Sequence, residues 1–368
     1  MDQEFFDEPL EQSKIKGNIA TEYFPAWANI ILKSRAKKVG FVDLYSGPGR
    51  YKDGTDSTPL SLLKKVIESE KLSNSLCCLF NDKTKSFIQE LKENVGSITK
   101  ADTLYYSPRF LNSEVSDDIV SKLFDFSNFP TIFFLDPWGY KGLSLKLIKF
   151  AVEPWGSECL FFFNYNRINP AITNPSVRES MTAIFGDKRY MHLEKLVGNM
   201  SPYEREVTIM NALCEALQGM GGQYVLPFCF KDAAKDKTSH YLVFAGKHAR
   251  GYQLMKEIMC KYSEKDEDGV PSFTFDPKPQ VQLEFTFNRP LRELKESLIQ
   301  DFSGQHIKFE KLHAVHHVKT RFVWNNYRKA LLELEEEGIV KVDKPQEKRV
   351  RKGEVTLSKD RIITFPQR

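Results

Sequence analysis

The sequence predicts an α/β protein: a mostly parallel, twisted sheet with helices on both faces and a terminal antiparallel strand. A small winged helix-turn-helix follows it. Three observations carry this reading. Short apolar runs alternate with helical stretches from Val39 to Phe163, the pattern of a parallel sheet covered on both sides. Four of the runs close on a polar residue, Asp43, Asp82, Asp136 and Asn164, and ligands in such sheets bind beyond the carboxyl ends of the strands. From about residue 283 the pattern changes to three helices and a basic hairpin.

Residues 1–38 read as an N-terminal helical lid. Ile15, Ile19, Tyr23, Trp27 and Ile30-Ile31 recur at helical spacing between Ser13 and Arg35. Lys14, Lys16, Tyr23 and Trp27 either cover a pocket or pack against the sheet. The core, 39–262, opens with a strand from Val39 to Tyr45 and a turn through Gly47 and Gly49. Pro59 to Glu70 is a helix with proline near its first turn. Then follow a strand (Ser75 to Phe80), a helix (Thr84 to Val95), a short strand (Thr103 to Tyr106) and a helix (Ser116 to Phe126). Phe129 to Leu135 is a strand, Leu143 to Val152 a helix, and Cys159 to Phe163 a strand. About 168–200 reads as an irregular insertion or substrate loop. Pro202 to Leu217 is a helix; Tyr224 to Phe230 and Ser239 to Ala245 make a hairpin that adds the antiparallel strand. Ala249 to Tyr262 is the last core helix.

Residues 263–282, rich in charge, Gly and Pro, read as a linker. In 283–368 the helices run from Pro290 to Phe302, Lys308 to His317 and Thr320 to Glu337, with Thr320 as N-cap and Gly338 as stop. Ile339 to Val342 and Ile362 to Phe365 pair around a basic loop, the wing.

Composition narrows the class. Net charge is +4 over 368 residues. Residues 283–368 hold 18 Lys+Arg against 13 Asp+Glu, and the remainder 35 against 36. The basic surplus therefore sits in the last quarter, where it suits a polyanion partner or is ordinary surface charge. No run approaches the roughly 20 apolar residues of a membrane span, and the acidic start lacks signal-peptide order. A cytoplasmic protein is expected. Six cysteines, at 77, 78, 159, 214, 229 and 260, form no CxxC and no Cys/His ligand spacing. They read as core residues, and no metal site is expected.

The chemistry concentrates in three places. Asp43 precedes Gly47 by four residues and Gly49 by six, which is not the GxGxxG of a nicotinamide dinucleotide site. A carboxylate at the strand end before the glycines is the arrangement of Rossmann-like class I methyltransferases, facing the methionine part of S-adenosylmethionine. Asp43, Tyr45, Ser46, Gly47, Gly49 and Asp82 are the candidate cofactor residues, Asp82 for the two ribose hydroxyls. Asp136-Pro137-Trp138-Gly139 resembles the (D/N/S)PP(Y/F/W) of amino methyltransferases, with the second proline missing. Asp136, Pro137, Trp138 and Tyr140 are the candidate catalytic residues: the carboxylate orients a substrate amine, the aromatic stacks on a base, and Tyr140 and Lys141 bind substrate or phosphate. DLYSGPG also resembles the DLFxGxG of cytosine-C5 methyltransferases, but those need a nucleophilic cysteine after proline, and no Pro-Cys occurs.

Taken together, DLYSGPGRYKDG, FFLDPWGYKG and FFFNYNRINP resemble the three-Cys-motif partner family, TcmP, as do YLVFAGKHARGYQLMKEIM and YRKALLELEEEGIV near the end. The resemblance implies a class I methyltransferase-like core and a protein partner that carries the three-cysteine motif. It leaves the substrate open. YYSPRFLN offers Arg109 and Asn112 where an adenine contact is often found, and neither is assigned.

Two functions follow. The first is an S-adenosylmethionine-dependent methyltransferase acting on an amine of a nucleic-acid base. The winged helix then binds nucleic acid through Arg321, Asn325, Asn326, Arg328 and Lys329 on its third helix and Lys348, Arg349, Arg351 and Lys352 in the wing. The second is an inactive Rossmann and winged-helix subunit that serves as a scaffold, a use to which the acidic run Glu333, Glu335, Glu336 and Glu337 is suited.

Overall fold

The computed structural model describes residues 10–232, 237–266, 268–276, 290–318, 320–351 and 353–367. The chain divides into two compact units, 1–258 with 275–277, and 259–274 with 278–368.

The first unit begins with α1 (Glu11–Ile31), β1 (Val39–Asp43), α2 (Thr58–Ile67), α3 (Glu70–Ser73), β2 (Leu76–Asp82), α4 (Lys85–Gly96) and β3 (Arg109–Asn112). Then come α5 (Ile119–Lys122), β4 (Thr131–Leu135), α6 (Leu145–Val152), β5 (Glu158–Phe163), α7 (Tyr165–Ala171), α8 (Arg178–Phe185), α9 (Asp187–Leu196) and α10 (Pro202–Gly219). It ends with β6 (Tyr224–Lys231), β7 (Thr238–Gly246) and most of α11 (Ala249–Tyr262), and the short β8 (Thr274–Phe275) falls at the boundary between the units. The sheet order is β3-β2-β1-β4-β5-β7-β6-β8. β1 to β5 run parallel, and β7 lies antiparallel to both β5 and β6. This is the Rossmann-like strand order of a class I methyltransferase core.

Alternation along the strands builds two hydrophobic layers. Val42, Phe133, Phe161 and Phe163 face one side and pack with Leu147, Phe185 and Leu213. Phe41 faces the other side, edge-on to Phe24 of α1 at 5.5 Å and stacked on Phe134 at 6.5 Å. Each such buried side chain contributes about 1.5–3 kcal/mol. Two sequence expectations change. The strand expected at 103–106 forms instead at Arg109–Asn112, because Leu79 to Asp82 of β2 take that segment as their parallel partner. The stretch around 168–200 is helical, α7 to α9, and its Ile168, Phe185, Tyr190 and Leu193 complete the core.

α1 is fastened to the sheet by polar contacts. Tyr23 Oη donates to Glu158 at the start of β5 and lies 3.3 Å from the Gly251 carbonyl. Trp27 Nε1 donates to the Gly156 carbonyl at 3.2 Å. A Cβ on Gly251 would stand 2.0 Å from Glu158 Oε1, so a side chain there would have to displace the Glu158 carboxylate. Burial lifts the Glu158 carboxyl from 4.5 to about 8, against the Tyr23 hydrogen bond, which lowers it. The folded chain thus holds a proton that the unfolded chain has lost, and stability falls as pH rises through this window. Glu158→Gln is expected to flatten that part of the profile. Thermal melts from pH 4.5 to 8.5 should show wild type losing ground to the variant, by at most about 5 kcal/mol at about 1.4 kcal/mol per pH unit.

The second unit contains α12 (Pro290–Asp301), β9 (His306–Lys308), α13 (Phe309–His316), α14 (Trp324–Glu336), β10 (Lys341–Val342), β11 (Val350–Arg351), β12 (Glu354–Val355) and β13 (Ile362–Thr364). β10, β13 and β9 form an antiparallel sheet, and β11 pairs with β12. Three helices with this sheet and hairpin are a winged helix-turn-helix. Leu294, Leu298, Leu312, Tyr327, Leu331 and Ile363 form its core. The third helix starts at Trp324, not after Thr320. The Asn326 side chain accepts from Val323 N at 2.9 Å and so satisfies its first turn. Gly338, at φ 72°, ends it. Residues read as linker also join this unit: Val270 is fully buried in its core, and the Gly269 carbonyl accepts from Asn326 at 3.2 Å. The stretch 277–282 lies outside the described residues. Among the described residues no helix is long and apolar enough to cross a membrane, and no cluster of metal-ligating side chains forms.

Candidate active site

A cavity of about 280 Å³ opens beyond the carboxyl ends of β1, β2, β4 and β5, with walls from α1, the start of α2 and β7. Parallel register brings the strand-end acids here. Asp43 pairs with Phe80 and Phe134, placing it level with the last turns of β2 and β4. Asp43, Asp82 and Asp136 all line the cavity.

On one side Asp43 is 1% exposed and accepts from Tyr45 N at 3.0 Å. Burial holds its carboxyl well above the ordinary range, and the charges of Asp136 and Asp82 push the same way. Asp82 accepts from Thr84 N at 2.8 Å and Gly47 N at 3.2 Å, which fixes its carboxylate and leaves lone pairs for hydroxyls. Ser46 lines the cavity and hydrogen-bonds the Asn81 carbonyl through N and Oγ, at 2.9 and 3.1 Å.

The glycines act behind this wall. Gly47 (φ 60°) turns its N–H to Asp82, and a Cβ on Gly49 (φ 85°) would strike Leu91 of α4 at 2.5 Å. Gly49 thus serves loop packing on α4, and its own atoms do not line the cavity. Tyr45 stands where many such loops carry glycine; its Oη donates to the Lys141 carbonyl at 3.2 Å. Asn112 clamps the end of β2 by donating to the Asp82 and Lys83 carbonyls. Arg109, at the opposite end of β3, pairs with Asp125 and takes no part.

The other side centres on Asp136. Lys16 of α1 places Nζ 2.9 and 3.1 Å from its two carboxylate oxygens and 3.6 Å from the Phe162 ring centroid. Lys16 is 6% exposed. Pro137 and Trp138 line the cavity beside it. Asn164 accepts from Arg167 N at 3.3 Å and donates to the Trp138 carbonyl at 3.4 Å, tying this loop to α7. Tyr140 does not join them. It is half-buried against the hydrophobic core, because the chain must return there to start α6.

His240 of β7 completes the wall. Its Nδ1 lies 2.8 Å from Ser239 Oγ, while Nε2 is buried without a partner. Burial and the Lys16 charge push its basicity down to about 2, so the ring is neutral. Ser57 Oγ, at the start of α2, is likewise buried and unpartnered. The sequence assigns no role to Ser57, Arg167 or His240: Ser57 and Arg167 stand only within segments that carry the family resemblance, and a histidine in mid-strand gives no signal.

These residues fit S-adenosylmethionine. Three acids, one of them buried against its ionisation, suit a ligand with cationic amino and sulfonium groups. Asp82 suits a ribose diol, and the buried Ser57 hydroxyl lacks a partner that a ligand would supply.

The residues expected to bind nucleic acid divide. Lys348 is exposed, Asn325 is exposed, and Lys329 is half-exposed with Asp268 3.6 Å away. Arg328 hydrogen-bonds Asn325 at 3.2 Å. Arg321 pairs with Asp266 and Glu293, at 3.2 and 3.4 Å. Asn326 is 4% exposed, since capping α14 turns it inward. Arg349 is a strut, not a wing contact: 6% exposed, it donates to the Lys344 and Thr356 carbonyls at 2.8 Å and to the Glu335 carboxylate. Arg351 belongs to β11, and Lys352 lies outside the described residues.

A family model described as GMT-like wHTH domain matches residues 272–347. Among solved structures, the methyltransferase domain of bacterial CtHen1-C overlaps 62% of this chain and 98% of its own, at 12% identity and a TM-score of 0.32. A SAM-dependent methyltransferase from Agrobacterium tumefaciens overlaps 61% of each chain, at 12% identity and a TM-score of 0.31. No curated protein matches this chain by sequence.

Proposed function

We propose that this chain is an S-adenosylmethionine-dependent methyltransferase acting on nucleic acid. What carries the reading is the convergence of Asp43, Asp82 and Asp136 on one cavity at the switch point of the sheet. Asp43 would face the cationic end of the cofactor and Asp82 its ribose. The cofactor supplies a methyl group on a positively charged sulfur. The protein supplies position: Asp136, Pro137 and Trp138 present the acceptor, and Phe162 and Lys16 keep bulk water from it. Nucleic acid enters the proposal through the winged helix, with Lys348, Asn325 and Lys329 as its exposed contacts and Arg328 partly exposed beside them. The resemblance to TcmP adds a partner with a three-cysteine motif.

A scaffold role is the second reading, favoured by the internal pairing of Arg321 and Arg349 and by the acidic end of α14. Titration calorimetry with S-adenosylmethionine separates the two. Wild type should bind, and Asp82→Ala should bind about tenfold to a hundredfold more weakly, the worth of one or two hydrogen bonds to a charged group. Absence of binding by wild type would leave the scaffold.

A further inference from the structure

The sequence reading put an amine at Asp136, but the geometry points to a different acceptor. Lys16 Nζ sits on both Asp136 oxygens, at 2.9 and 3.1 Å, inside the cavity. An ammonium offers only N–H donors. A base amine needs acceptors for its own N–H groups and becomes cationic as it is methylated, and a lysine 3 Å from the orienting carboxylate opposes both. A hydroxyl fits the pair: it can donate to the carboxylate and accept from the ammonium, and the charge developing on its oxygen is negative.

Nor is the pair needed to hold α1. Tyr23 to Glu158 and Trp27 to Gly156 already fasten that helix. Burying a lysine costs several kcal/mol before its partner offsets it, and here that cost falls at the cavity wall. His240 Nε2, buried without a partner on the same wall, offers the substrate one more hydrogen bond.

We propose that the acceptor is a hydroxyl oxygen and that Lys16 and Asp136 are the catalytic pair that activates it. This rests on the methyltransferase and nucleic-acid readings above, and under them the hydroxyl is a ribose 2′-OH of RNA, the one hydroxyl inside a nucleic-acid strand. The oxygen forms a bond to the methyl carbon as the carbon–sulfur bond breaks, and that electron pair stays on sulfur. The hydroxyl proton passes to Asp136 and then to water, while Lys16 donates to the oxygen throughout.

The test uses the full chain, S-adenosylmethionine labelled in its methyl group, and total RNA and total DNA as separate acceptors. Labelled RNA is digested to nucleosides to locate the methyl. The expected result is label on the ribose, with no labelling of DNA. Lys16→Met should lower the rate about 10²–10³-fold, the effect of removing one donor to a developing oxyanion, and Lys16→Arg should recover part of it. S-adenosylhomocysteine binding by calorimetry should stay near the wild-type value in both variants. If Lys16→Met does not fold, Lys16→Arg alone decides, and it must fall below wild type in rate but not in binding. Label on a base nitrogen, label in DNA, or no labelled RNA from a chain that binds S-adenosylmethionine overturns the hydroxyl acceptor and leaves the cofactor reading standing. A Lys16→Met rate equal to wild type overturns the role of Lys16. Wild type that binds no S-adenosylmethionine overturns the methyltransferase reading itself.

Discussion

Replacing Asp43 by alanine is expected to weaken S-adenosylmethionine binding by about thirtyfold to several thousandfold, the largest single effect on the proposed function. Asp43 is nearly inaccessible, and among the described residues its carboxylate accepts one backbone hydrogen bond, from Tyr45. Among the described residues no cation pairs with that carboxylate. Losing one partner of a buried charge pair costs about 2–5 kcal/mol, roughly thirtyfold or more in affinity.

The pH dependence follows with a definite sign. In the free protein the Asp43 carboxyl is held well above its ordinary value, first by burial, then by Asp136 and Asp82. A cationic ligand favours the ionised form, so binding releases protons and affinity rises with pH, by at most about tenfold per unit. Asp43→Asn keeps an acceptor for Tyr45 N and should bind weakly with a flatter profile. Calorimetry in two buffers of different ionisation enthalpy reads the proton release directly. An Asp43→Asn variant that binds as tightly as wild type would remove Asp43 from the cofactor site.

Arg349→Ala is expected to destabilise the winged-helix unit by about 3–5 kcal/mol, because breaking a buried ion pair leaves the other charge uncompensated. The guanidinium has three partners, the Lys344 and Thr356 carbonyls and the Glu335 carboxylate, and its side chain is 3% exposed against 12% for Glu335. Lys348→Ala, one residue away and exposed, should change stability by less than about 0.5 kcal/mol. Denaturant unfolding monitored by hydrogen exchange in α14 distinguishes them. Combining Arg349→Ala with Glu335→Ala should cost less than the two singles added, since the second change removes the charge the first left stranded. Equal effects of Arg349→Ala and Lys348→Ala would return Arg349 to the surface role that counting charges had given it.

The residues that were legible share one property: their position follows from the element they terminate. An apolar run ending in an acid puts Asp43, Asp82 or Asp136 at the carboxyl end of a parallel strand, and parallel strands place those ends side by side. Gly338 was legible for the same kind of local reason, a helix stop at positive φ. The misses depended on neighbours distant in sequence. Lys16 is among the residues the sequence offers as a pocket cover, but its pairing with Asp136, 120 residues away, follows only from the packing of α1 on the sheet. Tyr140 follows Trp138 in sequence but turns into the core. Arg349 and Lys348 are adjacent basics with opposite environments, which a charge count treats as equal.

The sequence by itself determined the class of the core, a mostly parallel Rossmann-like sheet with a terminal antiparallel strand, the winged helix behind it, and the strand ends at which polar residues gather. Hydrophobic periodicity and strand-end polarity are local, and they propagate through the parallel-sheet rule without knowledge of tertiary contacts. Only the tertiary structure decided which charges remain accessible. It paired Lys16 with Asp136, buried Arg349 against Glu335 and left His240 Nε2 without a partner. Desolvation and pairing are properties of an environment assembled from several elements, and they set what the cavity can bind.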